Sequence, residues 1–235
     1  MEWPKALPFA AQLFPSMYSN STQPGECPRI STEDTVFSFL DPQNQDGLKS
    51  QMKSLIAKFT QSPLDPTQYG ATVDETGGLV IVDALAKIEA GSHFIGPCYV
   101  GPHATIRHAA YVRPFSWICA NAVVGHASET KHSVLLPGAK APHFNYVGDS
   151  ILGGGVNLGA GTKISNLRND GGEVHLRIGD ERIGSGLRKF GAILGEGCQL
   201  GCNSVTNPGV ILGCRSHVMP NATVTGVHEQ DSLHR

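Results

Sequence analysis

The chain has 235 residues and a formal net charge of −2, and only 16% of its residues are charged. Because a typical soluble domain has roughly 25% charged residues, we expect lateral faces that are buried, as in an oligomer. A small net charge without runs of like charge speaks against nucleic acid or an anionic membrane as a partner. Six cysteines without a CxxC pair indicate free thiols, and no apolar run is long enough to cross a bilayer. We therefore expect a cytoplasmic protein.

Residues 1–75 are predicted to form an irregular and partly helical capping segment. The first 40 residues are rich in proline, serine and threonine, with at most one short strand at 35–40. Helical spacing of apolar residues then predicts an amphipathic helix over about 44–61. Its apolar stripe consists of Leu48, Met52, Leu55, Ile56 and Phe59. We expect this stripe to cover the open end of the repeat structure that follows.

From Val82 onward, a large apolar residue recurs every six positions and a small residue follows it four positions later. The large residues are Val82, Ile88, Phe94, Val100, Ile106, Val112, Ile118 and Val124, and the small ones are Ala86, Ser92, Cys98, Ala104, Ala110, Ser116, Ala122 and Ser128. This period fits neither a helix nor a simple strand, but it is typical of a β-helix in which each hexad forms one side of a triangular coil. We therefore predict an all-β fold with the β-helix over 76–226 and a tail at 227–235.

The hexad pattern is interrupted twice, and loops projecting from a rigid coil are where chemistry is expected. It resumes at Tyr146, Leu152, Leu158 and Ile164, and again at Leu194, Leu200, Thr206, Leu212, Val218 and Val224. The first interruption is predicted to place 131–143, with Lys131, His132 and His143, on or beside a loop. The second is predicted to contain a turn at 166–172 and a β-hairpin with strands at 173–178 and 181–183.

The stretch from Arg113 to Asn166 resembles the acetyltransferase domain of the bifunctional N-acetylglucosamine-1-phosphate uridyltransferases. The resemblance rests on GHASETK at 125–131, APHFNYVGD at 141–149 and NLGAGT at 157–162. Further on, GLRKFGA at 186–192, GCN at 201–203 and NPG at 207–209 are closer to archaeal-type sugar-phosphate nucleotidylyltransferase C-terminal domains and to short stand-alone relatives. The resemblance implies a left-handed parallel β-helix that forms homotrimers.

In that family, an acetyl group passes from acetyl-coenzyme A to the amine of glucosamine 1-phosphate, a step in the synthesis of nucleotide sugars for the cell envelope. The resemblance implies that His143 is the general base, that Glu129 fixes its tautomer, and that the Ala160 N–H faces the oxyanion. The implied substrate-binding residues are Arg113, Lys131, Tyr146, Asn157 and Asn166. The implied cofactor-binding residues are Ala160, Cys202, Pro220, Arg188 and Lys189. No metal is expected in this domain.

Several positions depart from the family pattern. Leu167 stands where the family has an aromatic residue, and the hairpin insertion displaces a lysine that the family donates across the subunit boundary. We expect Arg188 or Lys189 to replace it. No G-x-G-T-R-type loop precedes the coil, so uridylyl transfer is not expected. The family's arginine-bearing extension, which helps to hold coenzyme A, does not follow the coil, and whether activity is retained without it stays open. The acyl length, and the choice between a sugar 1-phosphate and a nucleotide sugar as acceptor, stay open.

Two alternative functions compete with acyl transfer. His103 and His108 have an H-x4-H spacing that resembles γ-class carbonic anhydrases, which are trimeric left-handed β-helices with histidine-bound metal. His126 and His132 lie further along, but no histidine stands between residues 60 and 92, where the third ligand is expected. The other alternative is a non-catalytic trimeric scaffold descended from the enzyme.

Overall fold

The computed structural model describes residues 7–19 and 25–235. Each coil of the chain consists of three short strands, and strands of successive coils pair in parallel into three eight-stranded sheets, here named A, B and C. The three sheets form the sides of a triangular prism. The predicted left-handed parallel β-helix is confirmed.

The chain runs through the sheets in the order A, B, C in every coil. Sheet A contains β1 (Thr72–Asp74), β4 (His93–Ile95), β7 (Tyr111–Val112), β10 (Glu129–Lys131), β13 (Tyr146–Gly148), β16 (Lys163–Ile164), β21 (Val205–Thr206) and β24 (Thr223–Val224). Sheet B contains β2 (Val80–Val82), β5 (Cys98–Val100), β8 (Ser116–Ile118), β11 (Ser133–Leu135), β14 (Ile151–Leu152), β19 (Ala192–Leu194), β22 (Val210–Leu212) and β25 (Val227–His228). Sheet C contains β3 (Lys87–Ile88), β6 (Thr105–Ile106), β9 (Val123–His126), β12 (Lys140–His143), β15 (Asn157–Leu158), β20 (Gln199–Leu200), β23 (His217–Val218) and β26 (Leu233–His234).

The interior of the prism is filled by the residues that the hexad pattern identifies. Within the first run of hexads, all eight large residues from Val82 to Val124 are buried, and they belong to one apolar cluster that continues through Leu152, Leu194 and Val224. The corners need tight turns, so several corner residues adopt a left-handed backbone, for example Asn121 with φ 59°. Asparagine tolerates this conformation better than most residues.

The first predicted interruption is wrong, because the coil continues through residues 123–148. Glu129 in β10 pairs with Tyr111 of the preceding coil and with Tyr146 of the following one. The inward positions of this stretch hold Thr130 and Ala141, both fully buried. The sequence pattern of large aliphatic residues is lost here because these inward residues are small or polar, but the backbone continues as a regular coil.

The register also shifts within this stretch. From Thr130 to Leu135, and again from Val147 to Leu152, one side of the triangle has five residues instead of six. Val147 is therefore the inward residue of β13 and is completely buried, whereas Tyr146 points outward. The prediction that Tyr146 occupies the interior position is wrong by one residue.

The predicted tail at 227–235 forms the last coil. β25 pairs with β22 and β26 pairs with β23, both in parallel. His228 and His234 are buried, with 6% and 9% of their surface exposed. They stand in the interior rows of Leu212 and Val218, so a search for aliphatic residues does not find this coil.

The predicted β-hairpin is confirmed in the second interruption. β17 (His175–Ile178) and β18 (Glu181–Gly184) pair antiparallel. The turn between them is Gly179-Asp180, where the glycine has φ 59°, as a tight hairpin requires. Val174 and Leu176 are fully buried in a second apolar cluster that includes the outward residues of sheet B.

The N-terminal part contains short helices: α1 (Ala10–Leu13), α2 (Pro15–Tyr18), a 3₁₀ helix (Val36–Leu40), α3 (Leu48–Ile56) and a second 3₁₀ helix (Pro66–Tyr69). The strand predicted at 35–40 is wrong, since that stretch is the first 3₁₀ helix. Four of its five residues are buried, which lacks the alternation of a half-buried strand. The helix predicted at 44–61 exists but is shorter.

This N-terminal segment covers the side of sheet B and not the open end of the coil. Leu48, Met52 and Leu55 of α3 are buried in the second cluster. The outward side chains of sheet B in that cluster are Ile81, Tyr99, Trp117, Val134, Ile151, Ile193, Ile211 and Val227. The first coil is instead covered near Leu64 and Ala71, which pack against the prism interior. One lateral face is thus buried within a single chain, which accounts for part of the low charge content.

Among the helices of the described ranges, none has both the length and the apolar character needed to cross a membrane.

Candidate active site

Apart from Asn157 in sheet C, the predicted site residues lie on face A, the outer surface of sheet A, or along its two corners. The C–A corner follows the strands of sheet C, and the A–B corner follows the strands of sheet A. Residues on successive coils of the C–A corner lie in one column, namely His108, His126, His143, Ala160, Cys202 and Pro220. Part of the predicted catalytic and cofactor-binding set therefore shares one edge of the molecule.

His143 ends β12 on the C–A corner and is exposed. Its backbone N–H donates to Asn145 Oδ1 at 3.0 Å. The buried Asn145 side chain in turn donates to the Gly159 carbonyl oxygen at 2.8 Å. The neighbouring Phe144 is 56% exposed, and its ring lies 5.2 Å from that of His126. The polypeptide around His143 is thus fixed, while its ring stays accessible.

Asp149 is the centre of a second group of residues at the A–B corner. Its buried carboxylate accepts hydrogen bonds from Lys131 Nζ at 3.0 Å and from His132 Nδ1 at 3.0 Å. The side-chain amide of Asn166 also donates to it. One carboxylate therefore holds two residues of the preceding coil and one residue of the following coil.

Burial acts to raise the pKa of Asp149, but the hydrogen bond from His132 and the charge of Lys131 outweigh it, and the pKa lies below the usual value. The group is therefore ionised at neutral pH. An ionised carboxylate can only accept hydrogen bonds, so the proton of the His132–Asp149 contact lies on Nδ1 of the ring.

Arg113 stands one coil before Lys131 on the same corner, in the register that pairs Tyr111 with Glu129. Its guanidinium donates to Glu129 Oε1 at 2.6 Å and lies 5.6 Å from the centre of the Tyr111 ring. Arg113 is thus paired with Glu129, and Lys131 with Asp149. These carboxylates fix the positions of the two cations, between which a phosphate could bind.

Tyr146 lies on face A, and its hydroxyl and the side-chain amide of Asn166 both lie close to Gly148. Burial is the largest cause that raises the pKa of Tyr146, and the nearby carboxylates act in the same direction. The hydroxyl stays protonated at neutral pH and can donate to a ligand.

A cavity of about 490 Å³ opens at the A–B corner. Its walls are the corner itself, the stretch 40–43 with Lys49 of α3, and the stretch 186–189 that returns from the hairpin. Its basic lining residues are Lys49, Arg113, Lys131, Arg188 and Lys189, and its acidic ones are Asp41 and Asp149. The excess of positive charge makes the cavity suited to an anion.

Other predicted residues do not come together within one chain. Glu129 lies on face A and binds Arg113, and not the His143 ring at the C–A corner. Asn157 lies in sheet C, where it pairs with Lys140 and Gln199.

The predicted cofactor residues are also divided. Arg188 and Lys189 line the A–B cavity, whereas Ala160, Cys202 and Pro220 lie along the C–A corner.

Sequence reasoning missed Lys49, His132 and Asp149 as members of the site. Asp149 ends the APHFNYVGD stretch and His132 directly follows Lys131, but no motif gives either residue a role. Counting 17 residues for one coil from His132 leads to Asp149, as the pairing of Lys131 with Gly148 shows. The 18-residue period of the hexads points from His132 to Ser150 instead, so the sequence pattern does not reveal this partner. Lys49 lies outside the repeat and has no periodic signal either.

The two histidines with carbonic anhydrase-like spacing lie at opposite ends of β6. His103 is at the corner before this strand and His108 at the corner after it. Within residues 7–19 and 25–235, no three histidine, cysteine, aspartate or glutamate side chains are grouped so that they could hold a metal ion.

Comparison with known proteins gives one family match. The model of the GMPPB C-terminal domain family matches residues 94–228. A bifunctional sugar-1-phosphate nucleotidylyltransferase/acetyltransferase of Sulfurisphaera tokodaii is 40% identical over 147 residues, which are 63% of this chain and 37% of that protein. The bifunctional protein GlmU of Methanococcus aeolicus is 35% identical over 66% of this chain and 38% of its own length. The chain thus spans less than two fifths of the length of these two relatives.

Solved structures are more distant. The polysialic acid O-acetyltransferase OatWY matches with a TM-score of 0.36 at 15% identity, over 67% of this chain and 80% of that one. A perosamine N-acetyltransferase of Caulobacter crescentus matches with a TM-score of 0.30 at 14% identity, over 69% of this chain and 91% of that one. Likeness at this level says nothing about activity.

Proposed function

This chain belongs to the GMPPB C-terminal domain family, and on that premise we propose that it is a coenzyme A-dependent acyltransferase acting on an amino-sugar phosphate. Its similarity to a nucleotidylyltransferase/acetyltransferase supports the second of those two activities, because the matched region is a β-helix whose residues resemble the acetyltransferase domain.

The observation that carries the proposal is the position of the predicted residues around face A. Arg113 and Lys131 line the A–B cavity, and Asn166 is held beside them by Asp149. The exposed His143 lies across β13 at the C–A corner. A ligand lying on face A would therefore have its anionic end near the cations and its other end towards a free imidazole.

The proposed chemistry is direct transfer. His143 takes a proton as the amine nitrogen of the sugar attacks the thioester carbonyl, a new C–N bond forms and the C–S bond breaks. The proton then passes to the departing thiolate, which leaves as free coenzyme A. The Ala160 N–H donates to the oxyanion of the tetrahedral intermediate. Cys202 and Pro220, in the column of Ala160, form the surface for coenzyme A.

A homotrimer is part of the proposal. Face B is covered by the chain itself, and exposed apolar side chains on or beside face C include Leu85, Phe144, Met219 and Leu233. Packing of face C and its corners against further copies would bury them. Light scattering should give a mass close to three chains at micromolar concentration, and a monomeric mass would contradict the trimer.

A cytoplasmic location fits the cysteine chemistry. All six cysteines are free thiols, and burial raises the pKa of Cys98 and Cys198, which keeps them inert. A reducing compartment is where such thiols persist.

The function is tested by mixing the protein with acetyl-coenzyme A and glucosamine 1-phosphate while free thiol is recorded. We expect thiol release that depends on the amino sugar, and an acetylated product of matching mass. Glucose 1-phosphate, which has no amine, is the control and should give no release. Equal, slow thiol release with both sugars would contradict N-acyl transfer.

A further inference from the structure

His132 lies at the A–B cavity and is almost completely buried, with 4% of its surface exposed. It lines the cavity together with Arg113 and Lys131. Its Nδ1 atom is used in the bond to Asp149. Its Nε2 atom is buried and has no hydrogen-bond partner among the described residues. A buried polar atom without a partner is unfavourable, so its presence in a basic cavity calls for a ligand.

The chemistry of Nε2 follows from Asp149. Because the ionised carboxylate of Asp149 keeps a proton on Nδ1, the neutral form of the ring has its lone pair at Nε2, where it accepts a hydrogen bond. The basic side chains of the cavity bind an anion. A ligand that binds both the basic side chains and the Nε2 atom must carry an anionic group and, next to it, a hydroxyl or an amine.

We propose that His132 is a specificity-determining residue of the acceptor site: its Nε2 atom accepts a hydrogen bond from a hydroxyl or amine of a phosphorylated sugar whose phosphate lies among the cations. The inference rests on the proposed function, since it names which part of the acceptor this residue recognises. Asp149 is the positioning residue that fixes the tautomer. Inorganic phosphate alone would bind the cations and leave the Nε2 atom without a hydrogen-bond partner.

The test compares two probes, glucosamine 1-phosphate and inorganic phosphate, by calorimetry on the wild-type protein and on His132→Phe. Phenylalanine suits this position because Phe115 occupies the same corner one coil earlier, with φ 62° against 46° for His132. We expect about tenfold weaker binding of glucosamine 1-phosphate, the loss of roughly one hydrogen bond, and less than a twofold change for phosphate. His175→Phe, on the exposed hairpin, is the matched control and should change neither affinity.

A second measurement does not depend on a variant. The ¹⁵N resonances of the His132 ring in the wild-type protein should show the Nδ1–H tautomer, and glucosamine 1-phosphate should shift the Nε2 signal while phosphate alone leaves it in place. UDP-glucosamine distinguishes a nucleotide sugar from a sugar 1-phosphate as acceptor. If it shifts the Nε2 signal as much as glucosamine 1-phosphate does, a nucleotide sugar binds in the same site.

The outcomes separate this inference from the proposed function. If acyl transfer occurs but His132→Phe weakens both probes equally, or neither, the recognition role is wrong and the function stands. If glucosamine 1-phosphate binds as expected but no acetyl group is transferred, the proposed function is wrong and the binding role stands. Failure of glucosamine 1-phosphate to bind the wild-type protein overturns the inference directly.

Discussion

At the scale of single residues, the site depends on one buried carboxylate. Asp149 holds Lys131 and His132 of the preceding coil and Asn166 of the following coil, so it sets the position of a cation, an imidazole and an amide at once. Removing one partner of such a buried network leaves the others unsatisfied. Asp149 is therefore a positioning residue whose effect should reach beyond its own contacts.

The first residue-scale prediction concerns the base. His143→Ala should lower turnover by about 10² to 10⁴, the usual contribution of a positioned base, while the KM for the acceptor changes little. Steady-state kinetics with acetyl-coenzyme A and glucosamine 1-phosphate measure both. His175→Ala is the control and should retain full activity. Unchanged turnover in His143→Ala would place the proton transfer on another group.

The second residue-scale prediction concerns the phosphate. Arg113→Gln should raise the KM for a phosphorylated sugar several-fold more than the KM for coenzyme A, because its guanidinium lines the anion cavity and charged hydrogen bonds are the stronger ones. Arg177→Gln, on the hairpin, serves as control. If both KM values for Arg113→Gln match the wild type, the cavity does not bind the acceptor phosphate.

At the scale of elements, the N-terminal segment and the hairpin have the same task, since both cover the apolar outer face of sheet B. They also form two of the three walls of the A–B cavity. The helix and the hairpin were predictable, because helical spacing and a Gly-Asp turn are local signals. Their docking place was not, because nothing in an apolar stripe says which apolar surface it meets.

Docking of α3 on sheet B gives a prediction about stability. Met52 is completely buried there, so Met52→Ala should lower the free energy of unfolding by about 2–5 kcal/mol. The neighbouring Lys53 is exposed, and Lys53→Ala should change it by less than about 0.5 kcal/mol. Urea unfolding of the two variants measures this. Equal, small effects would mean that the helix does not pack on the coil in solution.

At the scale of the whole molecule, the coil ends in two interior histidines that touch, with ring centres 4.3 Å apart. Burial lowers the pKa of His228, and burial together with the charge of His228 lowers the pKa of His234 to about 4. The terminal coil is therefore stable with both rings neutral. Protonation of either ring would place a charge inside the prism.

The sign of the pH effect follows from linkage. Between the unfolded pKa of about 6.5 and the folded pKa of about 4, the unfolded chain binds more protons, so stability rises with pH and is complete above that window. Each histidine contributes up to about 1.4 kcal/mol per pH unit. His234→Leu should flatten this slope in unfolding curves recorded from pH 4.5 to 7.5, and His217→Leu should not. An unchanged slope in His234→Leu would contradict the assignment.

The sequence by itself determined the β-helix, because one side chain per hexad must point into the prism and this requirement repeats along the chain. It also placed Arg113 and Lys131 on one corner, since they are one coil apart. The tertiary structure alone decided that the coil runs unbroken past Thr130 and Ala141, where shortened sides hide the period. It also decided that Lys49 of α3 and the stretch 186–189 complete the cavity. The physical reason is that periodicity reports only the contacts that every coil shares, whereas a site is made of contacts that occur once.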